Sequence, residues 1–240
     1  MQKVVAVTTL LLLACAATIA GASEATIKAA LQKKFPDIAI EGVIKTPMAG
    51  IYEVYANGQL IYTDEKVAYL FTNANLIDTD KKVNLTEERM SRLTAIRFDQ
   101  LPLDLAFKKV KGKGTRKLAY FGDPNCGYCK KFEQDLAKID DVTVYVFLYP
   151  VLGPDSLAKS KSIWCSKDRV KAWDDQLVNG IAPTASGGCD TPIEKILAFG
   201  RQKNISGTPT LFFTDGQRVP GAIPVDQIEQ RLVAAAKQTK

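Results

Sequence analysis

A chain of 240 residues that is 46% hydrophobic and 24% charged has material for one large or two modest globular units. Its formal net charge of +6 does not indicate a nucleic-acid partner, because the lysines are scattered and no aromatic–basic ladder runs through them. With five cysteines and no histidine, any zinc site would have to be built from thiolates in an awkward spacing.

The first 22 residues read as a secretory leader. Lys3 precedes an apolar run over residues 4–20, and Ala20-Gly21-Ala22 offers small residues for cleavage after about Ala22. Two other readings stand beside it. The run could be kept as a membrane anchor, although it is slightly short and dotted with Thr8, Thr9 and Thr18. Leu12-Leu13-Ala14-Cys15 also loosely resembles a lipoprotein box, which would lipidate Cys15. No later segment is apolar enough to span a bilayer, so the mature protein is expected to be soluble and exported. Removing the leader takes Lys3 and Cys15 away, leaving 31 basic against 26 acidic side chains, a charge of +5, and four cysteines. An even cysteine count in an exported chain implies an oxidising compartment.

Ser23 can cap a helix whose Ile27, Leu31 and Phe35 face one way, and Pro36 stops it. Extended runs follow at residues 38–45, 51–56, 59–63 and 67–71. Asn57-Gly58 between two of them is a strong hairpin signal, since both central residues of a type I′ turn need positive φ. Such a small α+β unit buries little surface and has edge strands to cover, which suggests pairing with a second copy. Asn84 with Glu87 then resembles a capping box opening a helix through Leu101. Its apolar stripe is thin (Met90, Leu93, Ile96), as in a spacer between domains, and Pro102 ends it. An apolar stretch over residues 103–110 and the Gly-broken Lys111-Gly112-Lys113-Gly114 act as connector. The lysines of residues 108–117 read as solvated surface.

Residues 117–121 (KLAYF) form a short strand, broken by the turn formers Asp123-Pro124-Asn125. The spacing of Phe132, Leu136 and Ile139 then predicts a helix, with Cys126 and Cys129 on its first turn. Unpaired N–H groups and the dipole at a helix start favour Cys126 as thiolate, and Lys130 and Lys131 add positive charge. A helix-start C-x-x-C after a strand points to dithiol/disulfide exchange; half of a zinc site and a purely structural bridge are the alternatives.

Residues 143–148 (TVYVFL) read as a strand buried on both faces. Residues 154–180 read as helical, with Ile163, Trp164, Val170, Trp173 and Leu177 inward. A Gly/Ser/Pro-rich loop over 181–189 and a short helix over 193–201 complete the insertion. Gly207-Thr208-Pro209-Thr210 opens a strand over 211–213, Asp215-Gly216 turns it into 217–219, and a last helix starts at Pro224 with Val225, Ile228, Leu232 and Ala235 inward. This order is the thioredoxin layout, giving an α/β unit behind an α+β one. The expected domains are a signal peptide at 1–22, a front domain at 23–83, a linker helix region at 84–107, and a redox domain at 108–240 with a helical insertion at about 154–204.

Four cysteines allow three pairings, but Cys126–Cys129 is so local that Cys165–Cys189 is the natural remainder. Closing that loop contributes at most ~3.5 kcal/mol on the entropic model, a structural role; a second redox pair is the alternative. Pro209 at a strand start has an ordinary reading, because proline is tolerated there. The other reading is a cis Thr208–Pro209 bond beside the dithiol, with the Thr208 backbone free to pair with an extended substrate, and the thioredoxin layout favours it.

The CGYC centre, Gly207-Thr208-Pro209, the Trp164-Cys165-Ser166-Lys167 segment with its later Cys189, the leader and the small front domain together resemble the bacterial periplasmic DsbC/DsbG family of thiol:disulfide isomerases. The likeness spans the mature chain and is weakest over residues 23–83. It implies a cystatin-like front domain that forms a homodimer, a helical linker, and two redox domains facing a shared apolar cleft. It also implies catalytic Cys126 and Cys129, an active-site dipeptide Gly127-Tyr128 of the isomerase subgroup, substrate contact at Thr208 and Pro209, and no metal or organic cofactor. DsbG-like relatives usually carry proline in place of Gly127, and DsbA-type oxidases carry Pro-His and lack the front domain. The implied partners are mis-oxidised secreted proteins and a membrane reductase resembling DsbD. A holdase-type chaperone with secondary redox activity and a net oxidase are the competing functions.

Overall fold

A computed structural model describes residues 23–238. The leader, its cleavage point and Cys15 lie outside the described residues. Among those residues no helix is long and apolar enough to cross a membrane. The chain divides into two units, the first ending at Ala74 and the second running from Asn75.

In the first unit, helix α1 (Glu24–Lys34) is capped by Ser23, whose Oγ accepts the Thr26 N–H at 3.1 Å. Its fully buried Ile27 and Leu31 lie against an antiparallel sheet of β1 (Ile40–Lys45), β2 (Ile51–Ala56), β3 (Gln59–Asp64) and β4 (Leu70–Phe71), in that order. Asn57 and Gly58 take φ of 48° and 75° in the two-residue loop between β2 and β3, as the hairpin signal requires. The strand expected over 67–71 shrinks to Leu70–Phe71. Asp64 is the reason: its carboxylate accepts the Ala68 and Tyr69 N–H groups at 2.7 and 2.9 Å and bends the chain before pairing can resume.

The second unit starts with a two-stranded ribbon, β5 (Ile77–Asp78) and β6 (Val83–Asn84), and helix α2 (Leu85–Leu93). Asn84 caps α2, accepting the Glu87 N–H at 3.1 Å. The expected helix through Leu101 stops at Leu93, because the Thr94 hydroxyl donates back to the Met90 carbonyl at 2.7 Å and closes the last turn. Ile96 and Leu101 then turn inward, 6% and 4% exposed, as part of the core of this unit.

The central sheet has five strands ordered β11-β10-β8-β9-β7, namely β7 (Phe107–Lys111), β8 (Arg116–Gly122), β9 (Val142–Leu148), β10 (Thr210–Phe213) and β11 (Arg218–Pro220). Only β8 and β9 run parallel. Alternation explains the two cores: Leu118 and Tyr120 of β8 face one, Ala119 and Phe121 the other. Strand β7 was expected to be connector and solvated lysines. It is instead an edge strand antiparallel to β9, and its Lys109 side chain is only 13% exposed because two carboxylates receive it. Lysine-rich edges disguise themselves as loops in sequence, since charge is how edge strands avoid further pairing.

Helix α3 (Gly127–Leu136) and helix α7 (Val225–Gln238) cover one face with Phe132, Leu136, Ile228, Leu232 and Ala235. The helix expected over 154–180 is divided into α4 (Pro154–Cys165), α5 (Arg169–Asp174) and a π turn over Asp175–Asn179. The break falls where Asp168 leaves the helical conformation and caps α5, accepting the Lys171 N–H at 2.9 Å. Trp173 and Leu177 reach the same core as α3, while helix α6 (Ile193–Gln202) places Ile196 on the opposite face.

Candidate active site

Strand β8 ends at Gly122, where a Cβ would meet the Tyr120 ring at 2.7 Å and the Trp173 ring at 3.1 Å. Asp123 follows, fully buried, and its carboxylate accepts four hydrogen bonds: from the Asn125, Val151 and Leu152 N–H groups at 2.8, 2.9 and 3.0 Å and from the Ser156 hydroxyl at 2.7 Å. A buried carboxylate needs such partners, and here its lone pairs are filled. It ties the loop before the cysteines to the start of α4. Asn125 adds to the tie, donating to Asp155 and Ser156 at 2.7 and 2.9 Å and accepting from Lys159 at 2.8 Å.

Cys126 is not inside the first turn but is the N-cap of α3, with extended backbone (φ −80°, ψ 116°) and its sulfur 3.3 Å from the Cys129 N–H that it accepts. Sulfur thus takes the place that a serine or aspartate oxygen takes at an ordinary cap, where negative charge is favoured. Cys129 lies on the inner side of the helix, 0% exposed, and Cys126 is 7% exposed. The thiol of Cys126 is pulled from its usual value near 9 down to about 5. The Cys129 thiol donating to it is the main cause, with burial opposing and the Thr208 side chain and the Cys129 and Tyr128 N–H groups assisting. Cys129 moves the other way, pushed far up by that same hydrogen bond and by burial. Neither Lys130 nor Lys131 bonds the sulfur; Lys131 reaches Asp135 at 3.0 Å. The expected lysine contribution is therefore replaced by donors closer to hand.

The Thr208–Pro209 peptide is cis, and the Thr208 carbonyl oxygen lies 3.2 Å from the Cys126 sulfur. Thr208 is half-buried, Pro209 buried, Gly127 exposed and Tyr128 73% exposed. Cys126, Cys129, Gly127, Tyr128, Thr208 and Pro209 thus meet at the start of α3. Cys165 and Cys189 are elsewhere, at the C-terminal end of α4, bonded to each other across a separation of 24 residues. That bond uses two of the four sulfurs a zinc site would need.

Beneath the cysteines lies a polar cluster that reading the sequence did not find. Glu133 of α3, 2% exposed, accepts hydrogen bonds from Tyr120 Oη, from Trp173 Nε1 at 2.6 Å and from Lys109 Nζ at 2.6 Å, and Lys109 also pairs with Asp174. Burial disfavours the Lys109 ammonium, but Glu133 and Asp174 outweigh it and its pKa is raised. Burial, with Glu133 beside it, pushes the Tyr120 phenol well up, so it stays a donor. One signal was available: Glu133 follows Cys129 by four residues and so shares the inward face of α3. Asp123 carried none beyond membership of a turn.

A sulfur poised as an anion is what attack on a disulfide requires, and the second thiol beside it, held protonated until it is needed, is placed to attack the mixed disulfide and release it. The fold and this arrangement together define a thioredoxin-fold thiol–disulfide oxidoreductase. Residues 103–236 match the thioredoxin-like domain family, and residues 18–87 match the N-terminal domain of disulfide bond isomerases. The probable thiol:disulfide interchange protein DsbC of Bordetella parapertussis is 46% identical over 86% of this chain and 73% of its own length. DsbC of Escherichia coli K12 is 29% identical over 95% of each. Among solved structures, a disulfide interchange protein from Neisseria gonorrhoeae is 39% identical, with a TM-score of 0.54 over 56% of this chain and 98% of that one. The chain belongs to the DsbC family of thiol:disulfide interchange proteins.

Proposed function

We infer that the protein is a periplasmic disulfide isomerase and reductase for exported proteins, working as a homodimer through Cys126 and Cys129. The observation that carries this reading is the Cys126 sulfur at the cap of α3, accepting the Cys129 N–H at 3.3 Å, with its thiol pKa pulled down to about 5. The thiolate attacks one sulfur of a wrong cystine; the client S–S bond breaks, a mixed disulfide forms, and the departing client thiolate takes up a proton. In isomerisation a different client thiolate attacks the client sulfur of the mixed disulfide and returns Cys126 as thiolate, with no net electron transfer. In reduction Cys129 loses its proton and attacks Cys126; the client leaves as thiol and two electrons have passed to it, leaving a Cys126–Cys129 disulfide. A membrane reductase resembling DsbD would restore the dithiol.

The exposed Tyr128, Val151 and Leu152, at 73%, 41% and 58%, support contact with partly unfolded clients, and Asp123 holds the latter two in place through their N–H groups. Thr208 and Pro209 are assigned to client backbone contact, and Cys165–Cys189 to bracing the insertion. At the edge strand β4, the exposed Tyr69, Leu70 and Phe71 support pairing with a second copy. The leader, residues 1–22, supports the periplasmic address.

The test is recovery of a protein with scrambled disulfides by wild type and by Cys126→Ser, with recovery expected only from wild type. Equal recovery by the serine variant would show a chaperone whose dithiol is secondary. Oxidation of reduced client without reshuffling would show a net oxidase. Deleting residues 23–83 should leave a monomer with weakened isomerisation; a truncated protein that stays dimeric refutes the assignment of the front domain.

A further inference from the structure

Beside the Cys126 sulfur lies a cleft of about 230 Å³, walled by Cys126 itself, Pro124, Asn125, Lys130, Gln176 and Leu177. Its polar groups differ in how far they are already engaged. Asn125 is fully used in its bonds to Asp155, Ser156 and Lys159. Gln176, carried by the π turn after α5, donates to the Pro124 carbonyl at 3.0 Å, which fixes its amide in the wall while its oxygen and second N–H have no partner among the described residues. Lys130 is exposed and its ammonium has neither an ion pair nor a hydrogen bond among the described residues, its backbone N–H alone being bonded, to the Cys126 carbonyl at 3.0 Å. Its neighbours in charge are all taken: Lys131 by Asp135, Lys159 by Asp155, and Lys171 by Asp175. The lining contains no aspartate or glutamate. Gly127 adds no Cβ at the rim, so the approach to sulfur and ammonium is open.

We propose that this cleft is a subsite for an acidic side chain of the client next to the cystine under attack, with Lys130 as the charge that reads it and Gln176 as an amide that orients it. The proposal rests on the exchange reaction inferred above. Since the reactive sulfur forms part of the wall, a carboxylate seated here belongs to a residue adjacent in the client chain to the attacked half-cystine. The contact lies in water, so its influence is a few-fold, is greatest at low salt, and falls as ions screen it. It selects among clients and among the cystines of one client.

The experiment compares reduced wild type with the variants K130E, Q176A and K131E against short disulfide-bonded peptides that carry Glu, Gln or Lys beside the cystine. Rates of mixed-disulfide formation at low ionic strength are divided by the rate with bis(2-hydroxyethyl) disulfide, which removes any change in the thiolate itself. Wild type should favour Glu over Gln by roughly threefold and place Lys last, a difference of the size an exposed ion pair supplies. K130E should reverse the order, Q176A should narrow it, and K131E, one position on but already drawn to Asp135, should leave it alone. An unchanged order in K130E, or an equal shift in K131E, overturns the subsite. Reaction of wild type with the small disulfide but no ranking of peptides overturns it too, whereas failure to attack any disulfide takes down the exchange reading beneath it.

Discussion

Helix α3 holds an anion at each of two levels, by opposite means. At its start the Cys126 sulfur is served by Tyr128 and Cys129, two and three residues away in the chain, with Thr208 added from the loop before β10. One face lower, Glu133 is served by Lys109 from β7, Tyr120 from β8 and Trp173 from α5, none of them in its own helix. The first anion is made mainly by a thiol and N–H groups within one turn of the same helix and is cheap for the fold to keep; the second exists only when strands and helices distant in sequence have come together. Reactivity is thus placed on a local device, and the rigidity under it on a long-range one.

The largest effect expected from this contrast is on rate. If the cap sets the charge of Cys126, alkylation of reduced protein by iodoacetamide should be nearly flat from neutral pH down to about 5 and then fall tenfold per unit, some ~100-fold by pH 3. A midpoint near the ordinary thiol value of 9 would erase the distinction between the two anions. The same shift has a stability consequence. Cys126 ionises at lower pH folded than unfolded, so the reduced protein should gain stability as pH rises from about 5 towards 9 and lose it on acidification through about 5. Denaturant titrations of reduced protein across that range read it directly.

Next in size, Lys109→Met should cost about 3–5 kcal/mol, because it strands a carboxylate that is 2% exposed. Lys109→Met with Glu133→Gln should cost clearly less than the sum of the two singles in urea unfolding. Additive costs would mean that the pair is not coupled. Asp123→Asn should cost about 1–3 kcal/mol, since the amide cannot accept all four of the bonds now made. It should also loosen the loop before Cys126 and slow mixed-disulfide formation; a variant with wild-type rate and stability would show that the tie to α4 is dispensable. The smallest effect belongs to a purely local cap: Asn84→Ala should cost about 1 kcal/mol through α2, measured by the same unfolding midpoint, and leave Cys126 alkylation untouched.

What could be read in advance followed the same division. The Asn57-Gly58 turn, the Ser23 and Asn84 caps, the cysteine at the start of α3 and the inward Ile228, Leu232 and Ala235 of α7 all depend on residues within one or two turns of one another. The misreadings lie where a distant partner decides. Lysines 109 and 111 looked solvated because the sequence does not show that β9 pairs with them or that Glu133 and Asp174 receive Lys109. The helix after Asn84 looked long because its periodicity continues past Thr94, while the chain at Ile96 is claimed by the Gly216 carbonyl at 3.1 Å. The insertion looked like one helix because nothing in its periodicity announces the turn in which Asp168 caps a second one.

By itself, then, the amino-acid order determined that a sulfur would sit at the mouth of a helix following a strand, that Cys165 and Cys189 would be left to each other, and that the element sequence is that of a thioredoxin fold. Only the tertiary structure decided which charges would be buried and what would surround the sulfur: Asp123 with its four donors, Glu133 with Lys109, Thr208 across from Cys126, and Lys130 left unpaired at the cleft. The physical reason is range. Caps, turns and helix dipoles act over a few residues and are written in spacing, whereas the environment of a buried charge is set by groups scores of positions apart that meet only once the chain has folded.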